Sequence, residues 1–293
     1  MNFNRTSVLL ITALTALQTV NAGSRVRSKQ PKDQANFTTT SPTGPYAFAV
    51  STNGDFTNPI SQLGIIDLAK GLFRPISTLS GAPVGIARDR QGHLYSVDYN
   101  NNFVEINPAT GQLTTIGPTG LSQPGPLGAA VDVITSLTNG ELFLLDYNNV
   151  LYRVDPTTGG AEMIGSTGIT PITTPFFGTS FSGDCDTLFF TVEEDDENGN
   201  TLIPATLYRI DPRTAAATKI GKTASFMGGS GFIGGSLYGF KIDENLIGGG
   251  PGPEVLQIGL AAGAAKIVSN LNVPSIFGAV SLGEDNRGCR AGR

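Results

Sequence analysis

The chain has no tryptophan, one histidine and two cysteines among 293 residues, and only 15% of it is charged. A single histidine, His93, with no His or Cys partner at ligand spacing, argues against a zinc site. Basic residues are scarce: Lys and Arg number 19 against 24 acidic residues, which argues against a nucleic-acid partner. No nucleophile elbow, phosphate loop or dinucleotide fingerprint stands in the strand-and-helix setting it needs.

What the chain has in quantity is glycine, 38 residues, and proline, 18 residues. That profile fits many short strands joined by tight turns.

Residues 1–22 read as a secretory signal. Arg5 is their only charge, an apolar run spans Val8 to Val20, and Val20 and Ala22 suit a cleavage site after Ala22. The run is short for a membrane span, and no later segment is apolar enough for one. Without residues 1–22 the balance is 18 basic against 24 acidic, a net −6. Residues 23–44 are polar and read as a flexible leader. They contain Asn36-Phe37-Thr38, an N-glycosylation acceptor pattern. The expected location is extracellular or periplasmic.

Between residues 45 and 286 one pattern recurs five times. Leu63–Asp67, Phe103–Asn107, Leu151–Asp155, Leu207–Asp211 and Val255–Gly259 are each followed ten residues later by a second apolar segment. The fourth residues, Ile66, Ile106, Val154, Ile210 and Ile258, are answered by Ile76, Ile116, Ile164, Ile220 and Val268. Alternation within each segment predicts strands. Intervening runs such as Asn107-Pro108-Ala109-Thr110-Gly111 predict turns, with Asp or Asn capping, Pro fixing φ and Gly in the left-handed position.

Two further strands precede each hairpin. One starts at Tyr46, Leu94, Leu142, Leu188 and Leu237. The other carries Gly85, Gly128, Gly178, Gly228 or Gly278, where small residues would let strands converge on a narrow axis. Each unit therefore has four strands with the glycine strand innermost. The last glycine strand has no partners after it, and the first three strands have no inner strand before them. Together they complete one unit and close a ring. The expected fold is a five-bladed β-propeller over 45–286, with a C-terminal tail at 287–293. The Leu-Tyr-Arg-Ile-Asp-Pro-x-Thr unit resembles the repeats of secreted NHL-like and quinoprotein-like propellers. That resemblance implies a scaffold and no particular reaction.

Strand reversal puts inner-to-second and third-to-outer turns on one face, here termed closed. The longer connections, Gly117–Leu127, Gly165–Phe177, Glu193–Thr206 and Lys241–Glu254, fall on the opposite, open face, where binding residues are expected. Asp98-Tyr99-Asn100-Asn101 and Asp146-Tyr147-Asn148-Asn149 recur there in adjacent blades. Tyr99, Asn100, Tyr147 and Asn148 are candidate ligand-binding residues, because an aromatic ring beside amides can stack on and hydrogen-bond a sugar. The competing reading is that Asn-Asn simply makes the turn.

The run Glu193–Asn200 offers Asp195, Asp196 and Asn198 as Ca²⁺ candidates, although Thr201 stands where an EF-hand loop has its glycine. A solvated charge run is the simpler reading. Asp89 and Asp132 each follow an inner-strand glycine by four residues, a pairing that would suit a glycosidase; Asp89 in Asp89-Arg90-Gln91-Gly92 also reads as a turn residue. Cys185 and Cys289 are the candidate disulfide, which would tie down the closing tail. In the chain-entropy model its loop is worth about 4.7 kcal/mol.

The sequence thus predicts a monomeric, non-enzymatic binding propeller whose ligand is a glycan or another protein. The alternatives are a glycan-active hydrolase or lyase, which needs two acids facing one bond, and an assembly scaffold, which needs a continuous apolar patch.

Overall fold

The computed structural model describes residues 45–53, 60–122, 125–126, 130–243 and 252–282. The signal and leader segments with Asn36, the inner-strand glycine Gly128, and the tail with Cys289 lie outside them. Among the described residues there are twenty strands and no helix, and hence no helix able to cross a membrane.

The strands form five four-stranded antiparallel sheets. The first blade comprises β4 (Ala87–Arg88), β5 (Leu94–Val97), β6 (Asn102–Ile106) and β7 (Leu113–Pro118). The second holds β8 (Val131–Ser136), β9 (Leu142–Asp146), β10 (Val150–Val154) and β11 (Ala161–Ser166). The third holds β12 (Phe177–Gly183), β13 (Leu188–Asp195), β14 (Thr201–Ile210) and β15 (Ala217–Lys222). The fourth holds β16 (Met227–Ile233), β17 (Ser236–Lys241), β18 (Glu254–Ile258) and β19 (Ala265–Asn270). The closing blade is split: β20 (Ser275–Ser281) pairs with β1 (Tyr46–Thr52), which continues into β2 (Ser61–Asp67) and β3 (Leu72–Thr78).

The innermost strands β4, β8, β12, β16 and β20 each touch the next around the ring, and Gly85 bridges Ile134 in parallel between the first two. This is the five-bladed propeller that the repeat predicts. Close approach at the axis explains the small residues. A Cβ on Gly229 in β16 would lie 2.4 Å from the carbonyl carbon of Phe277 in β20.

Burial is distributed rather than central. The core divides into five apolar clusters, one at each junction between neighbouring blades. Between the second and third blades, Leu145 and Leu151 pack with Phe190 and Ile210. Between the closing and first blades, Val50 and Leu63 pack with Leu94 and Ile106. A blade buries its two faces only by having neighbours, so the hydrophobic effect itself favours closure of the ring.

The repeated Ile and Val residues of the outer strands have a specific role. In every blade the register between third and outer strands slips at one place. Leu151 pairs with Gly165 but Tyr152 with Met163, leaving Ile164 bulged. The corresponding bulged residues are Ile76, Ile116, Ile220 and Val268. Ile116, Ile164 and Ile220 use the bulge to pack against the inter-blade clusters.

The third-to-outer turns follow the expected chemistry. The Asn107 carboxamide oxygen accepts from the backbone N–H of Ala109 and Thr110 at 3.0 and 3.2 Å. Gly111 closes the turn at φ 72°, and a Cβ there would sit 2.0 Å from the Thr78 carbonyl oxygen of the preceding blade. The third blade departs from the pattern: Ala215 holds the left-handed position at φ 62° and is fully buried.

Candidate functional site

The two Tyr-Asn-Asn turns lie between second and third strands. In each, an aspartate organises the backbone: Asp98 Oδ1 accepts from the N–H of Asn100 and Asn102, and Asp146 Oδ1 from the N–H of Asn148 and Val150, all at 2.9 Å. Asn101 and Asn149 adopt left-handed φ of 60° and 55°. Their side chains lock the adjoining loops: Asn101 Oδ1 accepts from Ala130 N–H at 2.7 Å, and Asn149 Nδ2 donates to the Thr170 carbonyl at 2.7 Å. The last asparagine of each turn is therefore structural.

The four candidate binding residues separate. Asn100 and Asn148 are exposed, and Tyr99 is 49% exposed. Tyr147 is buried, its ring edge-on to Phe177 at a centroid distance of 5.6 Å. Burial raises the pKa of both phenols, and for Tyr147 the nearby Asp132 and Tyr99 add to the effect. Tyr99, Tyr147 and Asp132 thus form one electrostatic neighbourhood drawn from two blades.

Asp132 is the unusual member. It lies in the innermost strand β8 and is 7% exposed. Thr179 Oγ1 of β12 donates to its Oδ1 at 3.1 Å, while its buried Oδ2 has no hydrogen-bond partner. Desolvation pushes its pKa up to about 7, with a further rise from Asp146, against the lowering effect of Thr179. No cationic side chain among the described residues offsets this. A buried, half-satisfied carboxyl is costly, which makes Asp132 a candidate for contact with a partner.

A second carboxyl behaves similarly. Glu193 in β13 accepts from the Phe226 N–H, and its pKa is pushed up to about 7, chiefly by burial, with Asp195 adding to the rise while Phe226, Ser225 and Lys241 oppose it. Phe226 holds φ 56°, an uncommon conformation for an aromatic residue. Glu193 pairs across the ladder with Gly178, and its Oε1 lies 2.8 Å from where a Gly178 Cβ would be. Asp132 instead meets Thr179, the next residue of β12. Successive strand residues point to opposite faces, so the two acids flank β12 on opposite sides.

The Asp89–Asp132 pairing suggested by the sequence does not occur. Asp89 follows β4 in the inner-to-second turn, where its N–H donates to the His93 carbonyl at 3.1 Å. In the second blade that place belongs to Leu137, whose N–H donates to the Glu141 carbonyl at 2.9 Å. Asp132 is near the other end of its strand. Asp89 serves its own turn, accepting from His93 N–H at 2.8 Å and from the Tyr95 hydroxyl at 3.0 Å. Burial would raise its pKa, but these bonds and His93 hold it below the usual value.

The expected long loop Glu193–Thr206 is mostly strand, because β13 runs to Asp195 and β14 begins at Thr201. Glu194 is buried within it, accepting from the N–H of Thr173 and Thr174 at 2.6 and 2.5 Å. Asp196 makes the intervening turn: Oδ1 accepts from the N–H of Asn198 and Asn200 at 2.8 Å, and Oδ2 from Asn200 Nδ2 at 2.7 Å. These bonds hold its pKa low. Of the Ca²⁺ candidates, Asp195 therefore ends β13, while Asp196 and Asn198 lie in a turn whose aspartate is already engaged. No group of three or more His, Cys, Asp or Glu side chains among the described residues is arranged to hold a metal ion.

Cys185 sits in the turn between β12 and β13; its expected partner, Cys289, lies outside the described residues. A cavity of about 550 Å³ opens among the closed-face turns of the first two blades, bordered by Arg90, Gln91, Glu141 and the Arg153–Glu162 ion pair (2.9 Å).

No family model and no curated protein matches the chain. Among solved structures it is similar to a structural-genomics protein of unknown function from Bacteroides thetaiotaomicron VPI-5482, at 18% identity and a TM-score of 0.40. That match covers 65% of this chain and 55% of the other, so the likeness spans about half the length of that protein.

Proposed function

We propose that the chain is a secreted recognition propeller that binds a glycan at the loops around Tyr99. The observation that carries this reading is a half-exposed tyrosine ring with exposed Asn100 beside it, on a turn whose Asn101 Oδ1 accepts from the N–H of Ala130 and Val131 at 2.7 and 3.3 Å, just before the buried Asp132 whose Oδ2 lacks a hydrogen-bond partner. Sugars present apolar faces for an aromatic ring and hydroxyls for amides and carboxyls. The signal-like residues 1–22 support secretion, and with it a disulfide between Cys185 and Cys289 and a monomeric extracellular or periplasmic protein. The repeat's likeness to NHL-like and quinoprotein-like propellers is compatible with a binding role.

The hydrolase reading needs two carboxyls facing one bond. Asp132 and Glu193, the two acids with pKa near 7, stand on opposite sides of β12. The scaffold reading needs a continuous apolar patch. The exposed apolar residues Ile76, Met163 and Ile267 belong to the outer strands of three different blades.

The test is thermal unfolding of residues 23–293 with neutral oligosaccharides and, separately, with Ca²⁺. A native-state ligand at a hundred times its Kd adds about 2.7 kcal/mol and raises the midpoint. The Tyr99→Ala variant should keep its own midpoint and lose the response to sugar. A response to Ca²⁺ alone would redirect the reading to the segment from Asp195 to Asn198.

A further inference from the structure

We infer that the carboxyl of Asp132 is the subsite for a ligand ammonium group, so that the glycan bound at Tyr99 carries a free amino sugar. This rests on the proposed site and adds its chemistry. Asp132 Oδ2 is buried and unpartnered, while Oδ1 is held by Thr179 at 3.1 Å. Asp146 and Tyr147 are its electrostatic neighbours, and no Lys, Arg or His among the described residues acts on it. The Tyr99 turn is tied to the start of the same strand, where Asn101 Oδ1 accepts from the N–H of Ala130 and Val131 at 2.7 and 3.3 Å. A carboxylate in such surroundings needs a positive charge, and an ammonium donating to Oδ2 supplies both the charge and the missing hydrogen bond. A hard metal ion is a poor alternative: Ca²⁺ takes six to eight oxygens, and no acid cluster is present there among the described residues. The exposed ring of Tyr99, on the turn tied to the start of β8, adds a cation–π surface. Its neighbour Asn100 offers hydrogen bonds suited to sugar hydroxyls, which favours an amino sugar over a peptide amine.

The experiment is calorimetric titration at pH 7.5 with three probes: a glucosamine oligomer, its N-acetylated counterpart, and a glucose oligomer of equal length. The inference expects the free amine to bind about ten-fold tighter or more. It also expects Asp132→Asn to erase that preference while neutral-sugar binding persists, which shows the variant folded. Should Asp132→Asn not fold, Thr179→Val frees Oδ1 and is expected to keep the amine preference intact. Equal binding of all three probes overturns the ammonium subsite and leaves the glycan reading standing. Binding of none overturns both. Binding of Nα-acetyl-lysine amide without the glucosamine oligomer overturns the amino sugar and assigns the carboxyl to a peptide amine.

Discussion

Replacing Asp132 by asparagine should change how stability depends on pH more than it changes stability at any one pH. In the unfolded chain this carboxyl titrates near its ordinary value of 3.8; in the ring its pKa is about 7. Below pH 3.8 the group is protonated in both states and has no effect. Between pH 4 and 7 the unfolded chain releases its proton while the folded chain keeps it, so stability falls as pH rises. Above about pH 7 the loss is complete. Roughly three pK units at 1.36 kcal/mol each give a loss of about 4 kcal/mol. Asparagine retains an acceptor for Thr179 but places an amide where Oδ2 lacks a partner, a cost of about 1–3 kcal/mol at every pH. The difference in unfolding free energy, variant minus wild type, removes that constant and should climb by about 4 kcal/mol from pH 4 to pH 8. Urea unfolding at half-unit pH steps, with coincident fluorescence and circular-dichroism transitions, measures it. A difference that stays flat within about 1 kcal/mol would refute the buried, unpaired carboxyl.

Glu193→Gln should show the same sign over pH 4.5 to 7, with about 3 kcal/mol between the limits. Because the two acids lie on opposite sides of β12, the double variant's pH dependence should equal the sum of the single effects, checked by a double-mutant cycle. Gly111→Ala should cost more than about 2 kcal/mol in chemical denaturation, since left-handed backbone alone costs about 1–2 kcal/mol and the new methyl meets the Thr78 carbonyl. Ala215→Gly, at the same turn position two junctions further on, should stay within about 1 kcal/mol because backbone relief offsets the lost methyl. Non-reducing mass spectrometry of residues 23–293 should show a mass two hydrogens below the dithiol form; two alkylatable thiols would remove the Cys185–Cys289 bond.

The second, third and outer strands were legible because their apolar alternation and Asp-Pro-x-Thr-Gly turns are local signals. Leu207–Ile210 and its turn at Asp211 announce themselves within ten residues. The innermost strands were legible in number but not in frame. Gly85 and Gly128 look equivalent, yet backbone hydrogen bonding equates Asp89 with Leu137, which moves Asp132 to the opposite end of its strand from Asp89. Glycine marks close approach, and close approach is fixed by neighbours around the axis rather than by spacing along the chain. The acidic segment misled for a related reason. Glu193 and Glu194 read as solvated charge, but their partners are Phe226, Thr173 and Thr174, some twenty to thirty residues away. No local pattern encodes such a meeting. The partner of Asp132, Thr179, is likewise 47 residues distant.

The split closing blade has a consequence for how the protein is made. A chain synthesised from its N-terminus produces β1 as the first of the twenty described strands and β20 as the last. Until residue 281 has emerged, β1 has a free inner edge, and the Ala47, Ala49 and Ile66 side chains lack the Ile276 and Ala279 contacts that cover them. The first and fourth blades meanwhile each lack one neighbour. Native topology is thus withheld until synthesis is almost complete, and the ring closes as a late event joining strands more than two hundred residues apart. Such a chain is exposed to edge-pairing errors throughout its passage to the folded state. Truncation by even one strand at the C-terminal side would leave the ring open, however well the other four blades had formed.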